Sequence, residues 1–253
     1  PTLLPFLSAG GQAVFSYNGP KIGLMDVLQL RSVQAVFAHG SRTRGTHHDL
    51  SDLDIICVVD DLEKSNSHSH GKISIFNLSA ASLLDRAMQG DLFLRYLTYG
   101  AVPVFDPGNF LDELRTAFRP ASSYDAIIQQ SVDFGAFTVQ QNVFNAAPQL
   151  ATAKTLYAVR SILMAKGHDI FNTASAVAPL DSKDLAFFSA AKYSPPSFND
   201  LSARLSAFFL RHNLHDNLPN CGSHSVLEQH FSVSGNLPAL QFLSRFGDDF
   251  QFR

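Results

Sequence analysis

The chain is poor in several features that would narrow its role at once. Only two cysteines occur in 253 residues, Cys57 and Cys221. They are too few for a disulfide framework, and a reducing cytoplasm is the expected setting. No run reaches the roughly eighteen apolar residues of a membrane span. A net charge of −3 gives no overall basic field, which argues against a long nucleic acid as the main partner. Neither an internal repeat nor a long low-complexity segment is found. What remains is ordinary for a globular protein: 45% hydrophobic and 16% charged residues, with 22 phenylalanines that imply a large aromatic core.

The pattern changes near residue 108. Before it, short β-branched runs alternate with turn signals: VQAVFAH (33–39), DIICVVD (54–60), KISIFNL (72–78) and AVPVF (101–105). These read as strands. Between the last two, apolar residues at helical spacing (Leu83, Leu84, Ala87, Met88) predict a helix, broken at Gly90. A further helix is expected over 21–30. After Asp106-Pro107-Gly108, amphipathic helices are expected over 110–118, 123–146, 149–166, 182–192 and 198–213. The tail from 214 reads as irregular, with one more helix near 237–246. The expectation is an α+β chain in two parts: residues 1–108 with a small mixed sheet and flanking helices, then 109–253 as an α-helical bundle.

One stretch reads as chemistry rather than architecture: GSRTRGTHHDLSDLD, residues 40–54. Residues two apart in a strand point to one face, so Asp52 and Asp54 would present their carboxylates side by side. Two hard anions that close call for a cation between them, and Mg²⁺ prefers such oxygen ligands while sharing substrate phosphates. At the other end of the stretch, Gly40 permits close backbone approach. Backbone N–H groups there and the Ser41 hydroxyl would grip a phosphate. Arg42 and Arg44 add donors suited to phosphate oxygens.

Gly-Ser, ten residues, then Asp-x-Asp resembles the signature of the DNA polymerase β-type nucleotidyltransferase superfamily, with Gly40, Ser41, Asp52 and Asp54 on the matching positions. The fuller run, GSRTRG followed by SDLD, is similar to the minimal and aminoglycoside-modifying branches. The resemblance covers about residues 30–108. It implies a mixed sheet flanked by helices, often with a helical domain after it. It implies transfer of a nucleoside monophosphate, commonly AMP from ATP, to a hydroxyl of a small molecule or protein, with Mg²⁺ as cofactor.

The chain departs from that family in one respect. A third carboxylate usually sits on the next strand, and here the matching place is read as Asn77, whose amide oxygen carries no charge and takes no proton at neutral pH. Asp85, Asp91 and Glu113 are weaker alternatives for the base. A catalytically degenerate, nucleotide-binding or regulatory protein is therefore the second reading. On the helix over 149–166, Lys154, Tyr157 and Arg160 follow one another at three-residue steps, a cationic and aromatic set suited to nucleotide phosphates or base; family relatives use a lysine of the helical domain in this way. The histidines at 47, 48, 68 and 70 read as polar loop residues, Cys57 as a small core residue, and Arg211 with His215 as carrying no activity.

Overall fold

The computed structural model describes residues 5–7, 13–15, 22–23, 33–43, 51–60, 66–70, 72–166, 187–188, 190–191, 194–219 and 223–247. The chain divides into two compact units, Pro1–Ala121 and Ser122–Arg253.

In the first unit, β1 (Pro5–Leu7), β2 (Ala13–Phe15) and β3 (Ile22–Gly23) form a small antiparallel sheet. The helix expected over 21–30 is corrected at its start, because Ile22 and Gly23 pair with β2; its other residues lie outside those described. The main sheet is built from β4 (Val33–His39), β5 (Leu53–Val59), β6 (Asn66–His70), β7 (Ile73–Ser79) and β8 (Val102–Phe105), in the order β6-β7-β5-β4-β8. It is mixed, since β5 and β7 run parallel and every other pair is antiparallel. Pro103 lies on β8, an edge strand, where a missing N–H is tolerated.

Alternation along these strands separates two faces. Ala35, Phe37, Ile56 and Val58 share one core with Leu83, Leu97 and Phe110, and Phe76 and Leu78 pack against it. Val36, Ala38, Leu53, Ile55, Cys57 and Ile75 form the core on the opposite face. The first face is covered by α1 (Ala80–Met88), α2 (Leu92–Gly100) and α3 (Phe110–Ala117). Ser79 caps α1, and Asp91 caps α2 by accepting from Leu94 N at 3.1 Å. Between them Gly90 has φ +75°, and an added Cβ would lie 2.4 Å from Ala121 N. Gly90 is thus required by conformation and by space, and it produces the expected helix break.

The Asp106 turn opens α3 rather than a new domain. Its carboxylate accepts from Phe110 N at 2.7 Å and Leu111 N at 3.0 Å, capping the helix. Phe110 stacks on Phe37 at 6.5 Å. Burial of this apolar stripe holds α3 in the first unit, so the break in the chain falls after Ala121 and not at residue 108.

The second unit contains α4 (Asp125–Thr138), α5 (Gln141–Ala146), α6 (Pro148–Ala165), α7 (Phe198–Arg211), α8 (His224–Val233) and α9 (Leu237–Leu243). The helix expected over 123–146 is interrupted where Gln140 turns extended. The tail expected to be irregular contains α8, held by Leu227 and Phe231 in a core with Phe134 and Phe137. Of the helix expected over 182–192, residues 187–188 and 190–191 are described and helical. No helix among the described residues is long and apolar enough to cross a membrane.

Asp133, 2% exposed, ties three segments of this unit together. It accepts from Gln129 Nε2 on its own helix, from Asn217 N, each at 2.8 Å, and lies 3.0 Å from His230 Nε2 on α8. Replacing a buried acceptor of this kind strands its donors. Asp133→Ala is therefore expected to cost about 3 kcal/mol in urea unfolding, whereas a change at the exposed Asp200 is expected to stay within about 1 kcal/mol.

Candidate active site

The residues of the 40–54 stretch meet where β4 ends and β5 begins. His39, the last residue of β4, is the register partner of Asp54. On the other side, Asp54 is the register partner of Ser74 on β7, and Leu53 N donates to Lys72 O at 2.8 Å. Asp54 is therefore fixed from both flanks, on the face that carries Phe37, Ile56 and Val58. Asp52 stands just ahead of the strand and is exposed, while Asp54 is half-buried.

Gly40 follows His39 with φ +94°, and an added Cβ would lie 2.5 Å from Asp54 Oδ2. The turn thus brings bare backbone against the carboxylate, an approach that any side chain would obstruct. Thr43 Oγ1 donates to Gly40 O at 2.8 Å and tightens the turn. Arg42 Nε donates to Ser51 O at 2.7 Å, bracing the two ends of the 44–50 segment against each other. At least this part of the Arg42 side chain serves the loop itself. Ser41 lies in the turn and is half-buried; Arg44 lies outside the described residues, as do His47 and His48.

The structure does not bring Asn77 to this site. Asn77 is the register partner of Cys57, and residues of that parity lie in the opposite core with Ile55 and Ile75. Strand alternation puts it behind the sheet, where Nδ2 donates to Asn66 Oδ1 at 2.6 Å. The β7 residues on the aspartate face are Ser74, Phe76 and Leu78, and none is a carboxylate. The alternative acids are otherwise engaged or exposed: Asp91 caps α2 and pairs with Arg86 at 3.0 Å, Asp85 accepts from Gln89, and Glu113 is exposed on α3. Among the described residues no group of three His, Cys, Asp or Glu is placed to hold a metal ion.

Sequence reasoning passed over two neighbours of Asp54. Ser74 carries no visible signal in a polar-patterned strand. His39 did carry one, as a polar residue at the buried end of a β-branched run. It is 7% exposed, and its ring lies 6.0 Å from Phe93, 5.9 Å from Tyr96 and 6.3 Å from Phe76. HSH at 68–70, read as loop, is part of β6. Cys57 is a core residue as expected, and burial pushes its thiol up to about 11, which leaves it no thiolate for nucleophilic work.

Lys154, Tyr157 and Arg160 all lie on α6 in the second unit. Lys154 is partly buried; burial, and then the nearby Arg245, lowers its amine below the usual lysine range. Tyr157 is 48% exposed and sits edge-on to Phe134 at 6.2 Å.

Residues 24–92 match the nucleotidyltransferase domain family. That segment contains the turn, both aspartates and β7. No curated protein sequence matches the chain. Two solved structures share a loose likeness with it. One is a nucleotidyltransferase-like protein from Exiguobacterium sibiricum 255-15, at 14% identity over 87% of this chain and 88% of that one, with a TM-score of 0.29. The other is spectinomycin adenyltransferase AAD(9) from Enterococcus faecialis, solved with ATP and spectinomycin, at 12% identity over 88% and 95%, with a TM-score of 0.39.

The two glycines separate site from scaffold. Gly40→Ala is expected to strain the turn by about 1–2 kcal/mol and to displace the Asp54 carboxylate, lowering nucleotide transfer or affinity by roughly 100-fold. Gly90→Ala meets backbone at 2.4 and 2.6 Å instead, so it should lower the unfolding midpoint more and leave the activity per folded molecule intact. Paired melting curves and nucleotide titrations check both outcomes.

Proposed function

We propose that the protein transfers a nucleoside monophosphate, in the first instance AMP from ATP, to a hydroxyl of a small molecule or a protein. The observation that carries this reading is the seating of Gly40 backbone against the Asp54 carboxylate. That approach lies within the segment that matches the nucleotidyltransferase family, and it supports a reading in which the turn holds phosphate beside Asp52 and Asp54.

The donor set suits Mg²⁺. Asp52 and Asp54 are oxygen ligands of the kind a hard cation takes, and the side-chain-free Gly40 lets the turn's backbone approach the Asp54 carboxylate. When bound, the ion would supply positive charge to the phosphates and to the attacking and leaving oxygens. The chain's own residues do the rest. The Ser41 hydroxyl and the backbone N–H groups of the turn hold phosphate oxygens. Arg44 is proposed to add a guanidinium to the phosphates. Lys154, Tyr157 and Arg160 of the helical unit are proposed as further nucleotide contacts.

A second reading has its own support. With Ser74 and Phe76 on the aspartate face of β7, no third carboxylate stands there to receive the acceptor's proton. A protein that binds nucleotide without turning it over fits that arrangement. Labelled NTPs with Mg²⁺, screened against aminoglycoside-like and protein acceptors, separate the two. Transfer that is lost in Asp52→Asn and Asp54→Asn supports the enzyme; Mg²⁺-dependent binding with no transfer to any acceptor supports the second reading.

The register also changes where an activating substitution should work. Ser74→Asp adds a carboxylate beside Asp54 and is expected to raise transfer, by up to the roughly 10²-fold at the low end for a positioned base. Asn77→Asp puts a charge behind the sheet, 4% exposed, and is expected to lower the melting temperature without raising transfer. The reverse ranking in side-by-side assays would refute the facial assignment.

A further inference from the structure

The helical unit brings together two cations that its own packing does not use. Lys154 lies on α6 with Leu150 one turn before it and Tyr157 one turn after it, so the three share a face. Both neighbours are anchored. Leu150 packs against the core cluster that contains Phe242 and Leu243. Tyr157 sits edge-on to Phe134 at 6.2 Å, and the Phe134 ring lies 5.9 Å from Phe242. This face of α6 is therefore the one that meets the end of α9.

Arg245 comes just after that end. Its N–H donates to Phe242 O at 3.2 Å, and Phe246 N donates to Leu243 O at 2.9 Å. The Phe246 ring then packs 5.3 Å from Phe242 and 6.5 Å from Phe137. Arg245 is thus held between Leu243 and Phe246, both packed in the cluster that Leu150 joins. Its exposed side chain is near enough to the half-buried Lys154 for its charge to act on the amine. Arg160, six residues along α6, is rotated about 240° from Lys154 at roughly 100° per residue. The cation that accompanies Lys154 is Arg245, which the sequence pattern did not single out.

Like charges set together repel, and burial of one adds to the cost. Among the described residues neither side chain hydrogen-bonds or pairs with an acid. An anion placed between them would remove that repulsion. Two positive charges match a dianion, and a phosphate group carries about −1.5 to −2 at neutral pH, whereas a carboxylate carries a single charge. A guanidinium fork beside an ammonium supplies the donors that phosphate oxygens accept from.

We propose that Lys154 and Arg245 together bind a phosphate dianion, free or as the terminal group of a larger molecule. Binding at this pair requires no nucleotidyl transfer and stands if that reading fails.

The test uses the full chain with Asp52 and Asp54 both replaced by Asn, in EDTA at neutral pH and low ionic strength, so that the candidate nucleotide site is disabled. Inorganic phosphate, acetate and AMP are titrated calorimetrically. Saturable phosphate binding is expected, at least about 10-fold tighter than that of acetate. Arg245→Gln and Lys154→Met should each weaken it by roughly 10-fold or more, and Arg245→Lys by less than Arg245→Gln. Lys166→Gln, which removes a cation at the far end of α6, should leave it unchanged. If Lys154→Met alters the circular dichroism spectrum, Arg245→Gln, at an exposed position, decides. AMP that competes with phosphate identifies a nucleotide as the source, and phosphate binding that AMP does not disturb identifies the free ion; either supports the site. No saturable phosphate binding, equal binding of acetate, binding that survives Arg245→Gln, or an equal loss in Lys166→Gln overturns the proposal.

Discussion

The contact between Gly40 backbone and the Asp54 carboxylate is the constraint on which the proposed site in the first unit depends. It requires β4 and β5 to pair with His39 opposite Asp54, and a slip of one residue would turn Asp54 to the far face of the sheet. Register is secured by what lies on each side. Phe37, Ile56 and Val58 on one face and Val36, Ile55 and Cys57 on the other are all buried, so neither face tolerates a slip. A two-sided hydrophobic strand pair thus fixes a polar carboxylate to within hydrogen-bonding precision at its open end. The glycine then lets the backbone close over it.

The second unit is specified by a different device. Its helices pack through phenylalanine and leucine, and polar side chains on α4 add directional contacts to that packing. Gln129 and Asp133 hold the 215–217 segment, Asp133 reaches His230, and Gln130 donates to Ser234 O at 2.6 Å while its own carbonyl accepts from Asn236. One helix face of three polar residues accordingly sets the position of the whole C-terminal segment, which gives a buried acid a structural use unrelated to catalysis.

Much of this was legible in the sequence where period and turn chemistry agreed. The strands over 33–39, 54–60 and 72–78 stand within a residue of their places because β-branched runs bounded by turns have few alternatives. The Gly90 break was readable for the same reason. The missed elements had weak local signals. NSHSH has no apolar alternation, and it forms β6 because β7 offers it an unpaired edge. HSVLEQHFSV shows only Leu227 and Phe231 as deeply buried residues, and tertiary packing supplies the rest. Asp106-Pro107-Gly108 looked like a domain boundary, yet Asp106 is a helix cap and Phe110 seals the first core. In the proposed site, Gly40, Ser41, Asp52 and Asp54 were singled out because their spacing is a motif, and the structure sets Gly40 against Asp54. Asn77 was misplaced because a third ligand on a neighbouring strand is set by register, and a change of one residue reverses its face.

The central claim is that the Gly40 turn and the two aspartates act together as a nucleotide site. Calorimetric titration of ATP into the protein, with Mg²⁺ and then with EDTA, tests it most directly when repeated on the Asp52→Asn, Asp54→Asn double variant. Saturable binding that needs Mg²⁺ and disappears in the double variant, with the melting temperature little changed, is the predicted result. ATP binding that is indifferent to Mg²⁺ and to both aspartates would contradict the account.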